Sequence, residues 1–336
     1  MEYLEFAKHV QTELGTVMGA DVRVEIHSVM KMNHDPDLGL CILPKGEEVA
    51  PIVYLQPHFM RYLSGRGMVD VLSDIVRQYH EAEPPRYPLE ALQDWHRMRG
   101  RICARLISAE RNEDYLEGVP HRRFLDLALV YYILMEENDD RVSIANITRE
   151  CLSQWGVTEK ELYDMSLYNM PQLMPVSAVN LQDLLEQMLL RGEGNSVDLR
   201  VGNILSGEKI TDEDSAPIYV VTNTAHYLGA IAIFYPDVLN SLLARLDWSE
   251  CYVLPASIHE MIICPDYSHM GLEQLSCMVK EVNETAVDET DRLTDSVYYY
   301  SRESGDLQLM NSCSPRKEKQ IFGIRIGSDG GRYHGN

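Results

Sequence analysis

Apolar and polar positions along the chain change period several times, and each change marks an element. Tyr3, Phe6, Ala7, Val10 and Leu14 recur at helical spacing with Gly15 as the expected stop, so the chain opens on an amphipathic helix. Val22, Val24 and Ile26 then alternate with polar neighbours, as in a half-buried strand. The run Asn33-His34-Asp35-Pro36-Asp37 is turn chemistry, and residues 38–43 and 51–55 read as two further strands. Met68, Val71, Leu72, Ile75, Val76 and Tyr79 restore the helical period. Helix, three strands and helix predict a first α+β unit over residues 1–80.

The proline-rich stretch EAEPPRYP (81–88) cannot continue a helix and reads as a joint. A middle unit over residues 89–191 follows, opening with an expected helix over 89–108. Residues 124–135 are almost all apolar apart from Asp126, the pattern of a strand covered on both faces. A short strand at 142–144, a capping box from Thr158 to Glu161 and a helix carrying Leu181, Leu184, Leu185, Met188 and Leu189 complete this unit. Residues 191–217, rich in Gly, Ser and Asp, are read as a second boundary or a long surface loop. In a third unit, 217–310, a strand at 218–222 leads to a helix from Thr224 and a restart at Pro236. Then come a strand, turn and strand at 252–266, a helix carrying Leu272, Leu275, Met278, Val279 and Val282, and a hairpin at 297–300 and 307–309. The tail, 311–336, turns basic and Gly-rich and is expected to be disordered. The predicted class is α+β, with mixed or antiparallel sheets flanked by helices in two or three packed units.

Composition narrows the function classes. With 336 residues, 45% of them hydrophobic, the chain can fill real cores. No apolar run approaches the ~20 residues of a membrane span, and the N-terminus lacks a basic segment followed by an apolar core, so a soluble, cytoplasmic protein is expected. The seven cysteines are scattered and never spaced C-x-x-C, which suits buried thiols in a reducing compartment and not a cysteine zinc site. The eleven histidines include no pair spaced to seat a metal on one element. Gly65 and Gly67 precede a helix but lack the continuation of a phosphate-binding loop, so neither cofactor nor metal is expected. Lys and Arg total 30 against 52 Asp and Glu, a formal net charge of -22 that repels phosphate backbones and anionic membranes. Such a surface serves solubility, or it docks a basic partner or imitates nucleic acid.

Chemistry-bearing residues crowd most densely in YVLPASIHEMIICPD (252–266), which carries Ser257, His259 and Glu260. A histidine can act as general base, and a serine two residues away on one strand face could be its partner. If 258–264 is extended, however, His259 and Glu260 point to opposite faces. Asn223 stands at an expected strand end where a helix begins, a place for a cap or an anion contact. If strands 218–222 and 252–255 are neighbours, Asn223 and Ser257 share a sheet end. Arg97, Arg101 and Arg105 fall on one face of the expected helix at i, i+4 and i+8, and if that segment meets His121, Arg122 and Arg123 in space they form an anion or nucleic-acid patch. Glu90, Asp94 and Glu110 lie close enough in sequence to neutralise much of it.

Three segments carry a family resemblance: ICARLISAERNEDYLEGVPHRRFLDLALVYYI (102–133), ITRECLSQWGVTEKELYDMSLYN (147–169) and YVLPASIHEMIICPD. Together they resemble an uncharacterised bacterial family catalogued as domain of unknown function 5688, with Ala256 where that pattern usually has serine. The third segment is also similar to the smaller YtpQ-like family. The resemblance runs from about Glu2 to Leu309 and implies no substrate, cofactor or catalytic residue. The expectation is therefore a non-catalytic binding or regulatory protein that acts on another macromolecule, a protein and not nucleic acid or membrane, through its acidic surface. The alternatives are a hydrolase-like enzyme using Asn223, Ser257 and His259, with Glu260 a further candidate, and nucleotide or nucleic-acid binding at the Arg97, Arg101, Arg105 face.

Overall fold

In a computed structural model the chain divides into two compact units, Met1–Leu92 and Gln93–Asn336. The structure describes residues 1–29, 32–33, 37–46, 51–81, 89–138, 141–191, 203–206, 218–266, 271–310 and 323–325. The class is α+β, and every strand pairing among the described residues is antiparallel.

In the first unit, α1 (Tyr3–Met18) buries Phe6, Ala7, Val10 and Leu14, the residues its spacing selects. The helix runs through Gly15 and stops at Gly19, whose φ of 85° favours glycine. Strands β1 (Val22–Val29), β2 (Asp37–Pro44) and β3 (Ile52–Tyr54) form a meander, followed by α2 (Gln56–Leu63) and α3 (Met68–Glu81) and a short α4 (Leu89–Leu92). One core joins Phe6, Val10 and Leu14 of α1 to Leu40 and Ile42 of β2 and to Val71 and Ile75 of α3. Asp74 of α3, buried, is met by Arg77 at 2.7 Å, by Arg66 at 3.1 Å and by Arg61 at 3.6 Å, so the Gly65–Gly67 loop delivers a cation to an acid.

The second unit corrects the helix expected at 89–108. After α4 come only one turn of helix, α5 (Trp95–Met98), a 3-10 turn (Arg99–Arg101) and then β4 (Ile102–Ser108), all seven of whose residues are buried. A run buried on both faces satisfies its backbone by pairing, and β4 pairs in register with β6 (Leu127–Asn138) from Ile102↔Ile133 to Ser108↔Leu127. Between them lie α6 (Glu113–Gly118) and β5 (His121–Phe124). The apolar run at 124–135 is mostly the buried strand β6, and its first residue, Phe124, ends β5 in a tight hairpin reversed at Leu125, whose φ is 58°. Asp126 in that reversal accepts hydrogen bonds from Ser296 and Tyr298, both at 2.6 Å. Strand β7 (Arg141–Asn146) completes the four-stranded sheet beside β6. Then follow α7 (Arg149–Trp155), closed by Gly156 at φ 67°, and α8 (Glu159–Leu173). The capping box forms as expected: Glu161 N–H donates to the Thr158 hydroxyl at 3.3 Å and Thr158 N–H to the Glu161 carboxylate at 2.8 Å.

A seven-stranded sheet closes the unit. Its members are β8 (Val176–Asn180), β9 (Tyr219–Asn223), β10 (Glu250–Pro255), β11 (Met261–Cys264), β12 (Val297–Ser301), β13 (Asp306–Met310) and β14 (Gly323–Arg325), in the order β14-β13-β12-β10-β11-β9-β8. Helix α9 (Leu181–Arg191) forms as expected, after a strand, β8, that the spacing does not predict, and residues 192–202 and 207–217 of the expected boundary lie outside the described residues. In place of a helix from Thr224 there is a loop and a 3-10 segment (Gly229–Phe234), every residue of it buried, and the restart at Pro236 is α10 (Val238–Leu246). Helix α11 (Leu272–Thr285) packs Leu275 and Val279 on Tyr252, Leu254 and Val297. The tail expected to be disordered lies outside the described residues, save Gly323–Arg325, whose backbone pairs with β13. Among the described residues no helix is long and apolar enough to cross a membrane, and no group of three or more His, Cys, Asp and Glu side chains is placed to hold a metal.

Candidate functional site

The turn between β10 and β11 is built by its own polar residues. The N–H groups of Ala256 and Ser257 both donate to the Glu260 carbonyl at 3.3 Å, while the Ser257 hydroxyl donates to the Glu260 carboxylate at 2.8 Å and accepts the His259 N–H at 3.0 Å. A serine that captures local backbone in this way competes with the sheet ladder, which is why β11 begins only at Met261 and not at Ile258. His259 and Glu260 therefore lie in a folded turn, and the alternation that would set them on opposite strand faces does not apply to them.

His259 faces the loop after β9. Its Nδ1 accepts the Leu228 N–H at 3.0 Å, which leaves the proton of a neutral ring on Nε2, 3.7 Å from an Asp291 carboxylate oxygen. Asn223 is fully buried at the end of β9 and holds the same loop from within. Its Oδ1 accepts the N–H groups of Ala225 at 3.1 Å and Tyr227 at 3.3 Å, and its Nδ2 donates to the Tyr227 carbonyl at 2.8 Å. Those bonds fix His226 and Leu228 at φ 53°, a left-handed conformation that L-residues adopt at a cost. The Thr222 hydroxyl donates to the His259 carbonyl at 2.7 Å, Ala230 N–H to the Ile258 carbonyl at 3.2 Å and Ile258 N–H to the Asp291 carbonyl at 2.8 Å. Backbones approach so closely here that a Cβ on Gly229 would lie 2.6 Å from the His259 carbonyl oxygen and 2.7 Å from the Asn223 nitrogen.

Asn223, Ser257, His259 and Glu260 thus meet at one end of one sheet, although β11 separates β9 from β10. Their polar groups hold backbone. A nucleophile and base need the serine oxygen against an imidazole nitrogen, whereas the Ser257 hydroxyl donates to Glu260 and the His259 Nδ1 lone pair accepts the Leu228 N–H. Thr222, Leu228, Gly229 and Asp291, which complete the clasp, carry no local sequence signal. Asp291 is brought in by a 3-10 turn (Glu289–Asp291) that follows α11.

The arginine face separates in space because β4 is a strand. Arg97 pairs with Asp94 at 3.3 Å, and Arg101 donates to the carbonyls of Leu134 at 3.2 Å and Met135 at 2.9 Å. Arg105 turns inward and is 4% exposed, with Nη2 on Asn146 Oδ1 at 2.9 Å and on the Tyr115 hydroxyl at 3.4 Å. Arg122 meets Glu159 through Nε at 3.1 Å and Nη2 at 2.8 Å, and lies 3.8 Å above the Tyr163 ring. Burial works against its charge, yet bonding and attraction to Glu159 outweigh that and hold the guanidinium more firmly protonated than usual. The Tyr131 hydroxyl also donates to Glu159, and burial followed by that negative charge pushes its pKa well up.

The matching family model covers residues 3–302 and is described as a family of unknown function, DUF5688. The chain belongs to that family. No curated protein and no solved structure matches it. The three segments that carried the resemblance acquire physical roles: 102–133 builds three strands of the four-stranded sheet, 147–169 supplies α7 and the capped start of α8, and 252–266 is the β10–β11 clasp.

Proposed function

We propose that this member of DUF5688 is a non-catalytic binding protein of the cytoplasm that docks a basic, amphipathic segment of another protein on its acidic surface. The outer side of α11 carries the reading. Met278 and Val282, four residues apart, are 45% and 40% exposed at the border of the buried side, and Glu281, Glu284 and Glu273 follow around the exposed arc. Asp288 and Glu289 extend the negative charge past the helix end. An apolar pair beside an acidic flank suits a helix bearing leucines on one side and lysines on the next. The net charge of -22 favours encounter with such a segment and disfavours nucleic acid. Buried thiols agree with a reducing compartment: burial, then the charge of Asp266, pushes Cys264 up to about 11.

The test uses the full chain and a synthetic Lys/Leu amphipathic helical peptide, read by fluorescence anisotropy. Met278→Asp with Glu281→Lys and Glu284→Lys should weaken binding about tenfold, and Glu303→Lys, in the turn between β12 and β13, should change it less than about twofold. Equal weakening by both would mean that the general field alone attracts the peptide. That result, or no binding at low salt, contradicts the proposal.

A further inference from the structure

Arg105 is a buried cation that meets no acid among the described residues. Its strand neighbour across β6 is Val130, and the sheet places Tyr132, Asn146 and the α6 residue Tyr115 around its head. The guanidinium carbon stands 6.0 Å from the Tyr132 ring centre, and among the described residues Nη2 is engaged by the two neutral oxygens of Asn146 and Tyr115. Nε is buried with no hydrogen-bond partner, and no carboxylate pairs with Arg105 among the described residues. Taking a guanidinium out of water costs several kcal/mol unless a counter-charge or a full set of acceptors replaces the water. The two neutral acceptors on Nη2 leave the buried Nε–H unmet.

The surroundings suit a small ligand better than a protein acid. Asn146 is exposed, so the guanidinium head lies beside solvent on that side, while Tyr115 and Tyr132 are buried and flank it on the others. Arg105, Tyr227, Tyr235 and Cys103 all lie close enough to the Tyr132 hydroxyl to act on its ionisation, which burial above all pushes upward. A single fixed positive charge, planar and ringed by phenols, matches one carboxylate in charge and in geometry. A phosphate dianion would bring a second negative charge that nothing here compensates.

We infer that Arg105, Tyr115 and Asn146 form a binding site for the carboxylate of a small molecule, entered beside Asn146. The site is separate from α11 and stands or falls independently of docking there.

Thermal unfolding of the full chain in sodium acetate, sodium phosphate and sodium chloride at equal ionic strength tests it. Acetate should raise the midpoint saturably above the chloride baseline, and phosphate should do so less. Asn146→Asp supplies the missing acid from an exposed position that the fold tolerates. It should raise the midpoint without acetate and abolish the acetate response. Arg105→Met should abolish the response as well, and Asn146→Asp tests the same point with the arginine in place. No acetate effect on the parent, a phosphate response exceeding it, or a response that survives Asn146→Asp would overturn the inference.

Discussion

Arg105 and Arg122 sit on β4 and β5, two of the strands that pair with β6, opposite Val130 and Leu129, so one points to each face of the same sheet. Arg122 meets a carboxylate through two nitrogens, lies on an aromatic ring and shares its acid with Tyr131. Arg105 is more deeply buried and has neutral partners on one nitrogen only. Burial alone therefore does not separate a structural charge from a functional one. Satisfaction does: a closed network stabilises the fold, whereas an open one leaves binding capacity. By that measure the β10–β11 clasp belongs with Arg122, since its hydroxyl, imidazole and amide are occupied by backbone or by Glu260.

The closed regions should break hardest. Gly229→Ala forces a methyl group against the backbone of both Asn223 and His259, and about 3 kcal/mol or more should be lost in chemical denaturation. A loss below about 1 kcal/mol would show the clasp to be yielding. Arg122→Met, which strands Glu159 and Tyr131, should cost about 3 kcal/mol. The same substitution at Arg105 removes an unpaired buried charge and should change ligand-free stability by less than about 0.5 kcal/mol. Equal costs at the two arginines would erase the distinction drawn between them.

Much of the fold was legible. Spacing alone places α1 and β1, the Thr158–Glu161 box starts α8, and the terminal hairpin pairs Val297↔Met310 through Ser301↔Asp306. The error at 89–108 has a physical origin: seven residues buried on both faces have no alternation to read, and three arginines at i, i+4 and i+8 imitate a helix face. The clasp was half legible. The sequence placed Ser257, His259 and Glu260 together and singled out Asn223, but their partners Leu228 and Asp291 lie 31 and 32 residues from His259 and are joined to it only by strand pairing. The state of Arg105 was not legible, because whether an arginine meets an acid depends on which face of β4 it occupies, and a helical reading assigns the wrong neighbours.

Side-chain 15N–1H NMR of the arginine Nε groups, followed through an acetate titration, compares the two regions in one sample. The account predicts that the Arg105 Nε–H signal shifts saturably while that of Arg122 stays in place. Stationary signals from both, or an unsaturating drift shared by both, would contradict it.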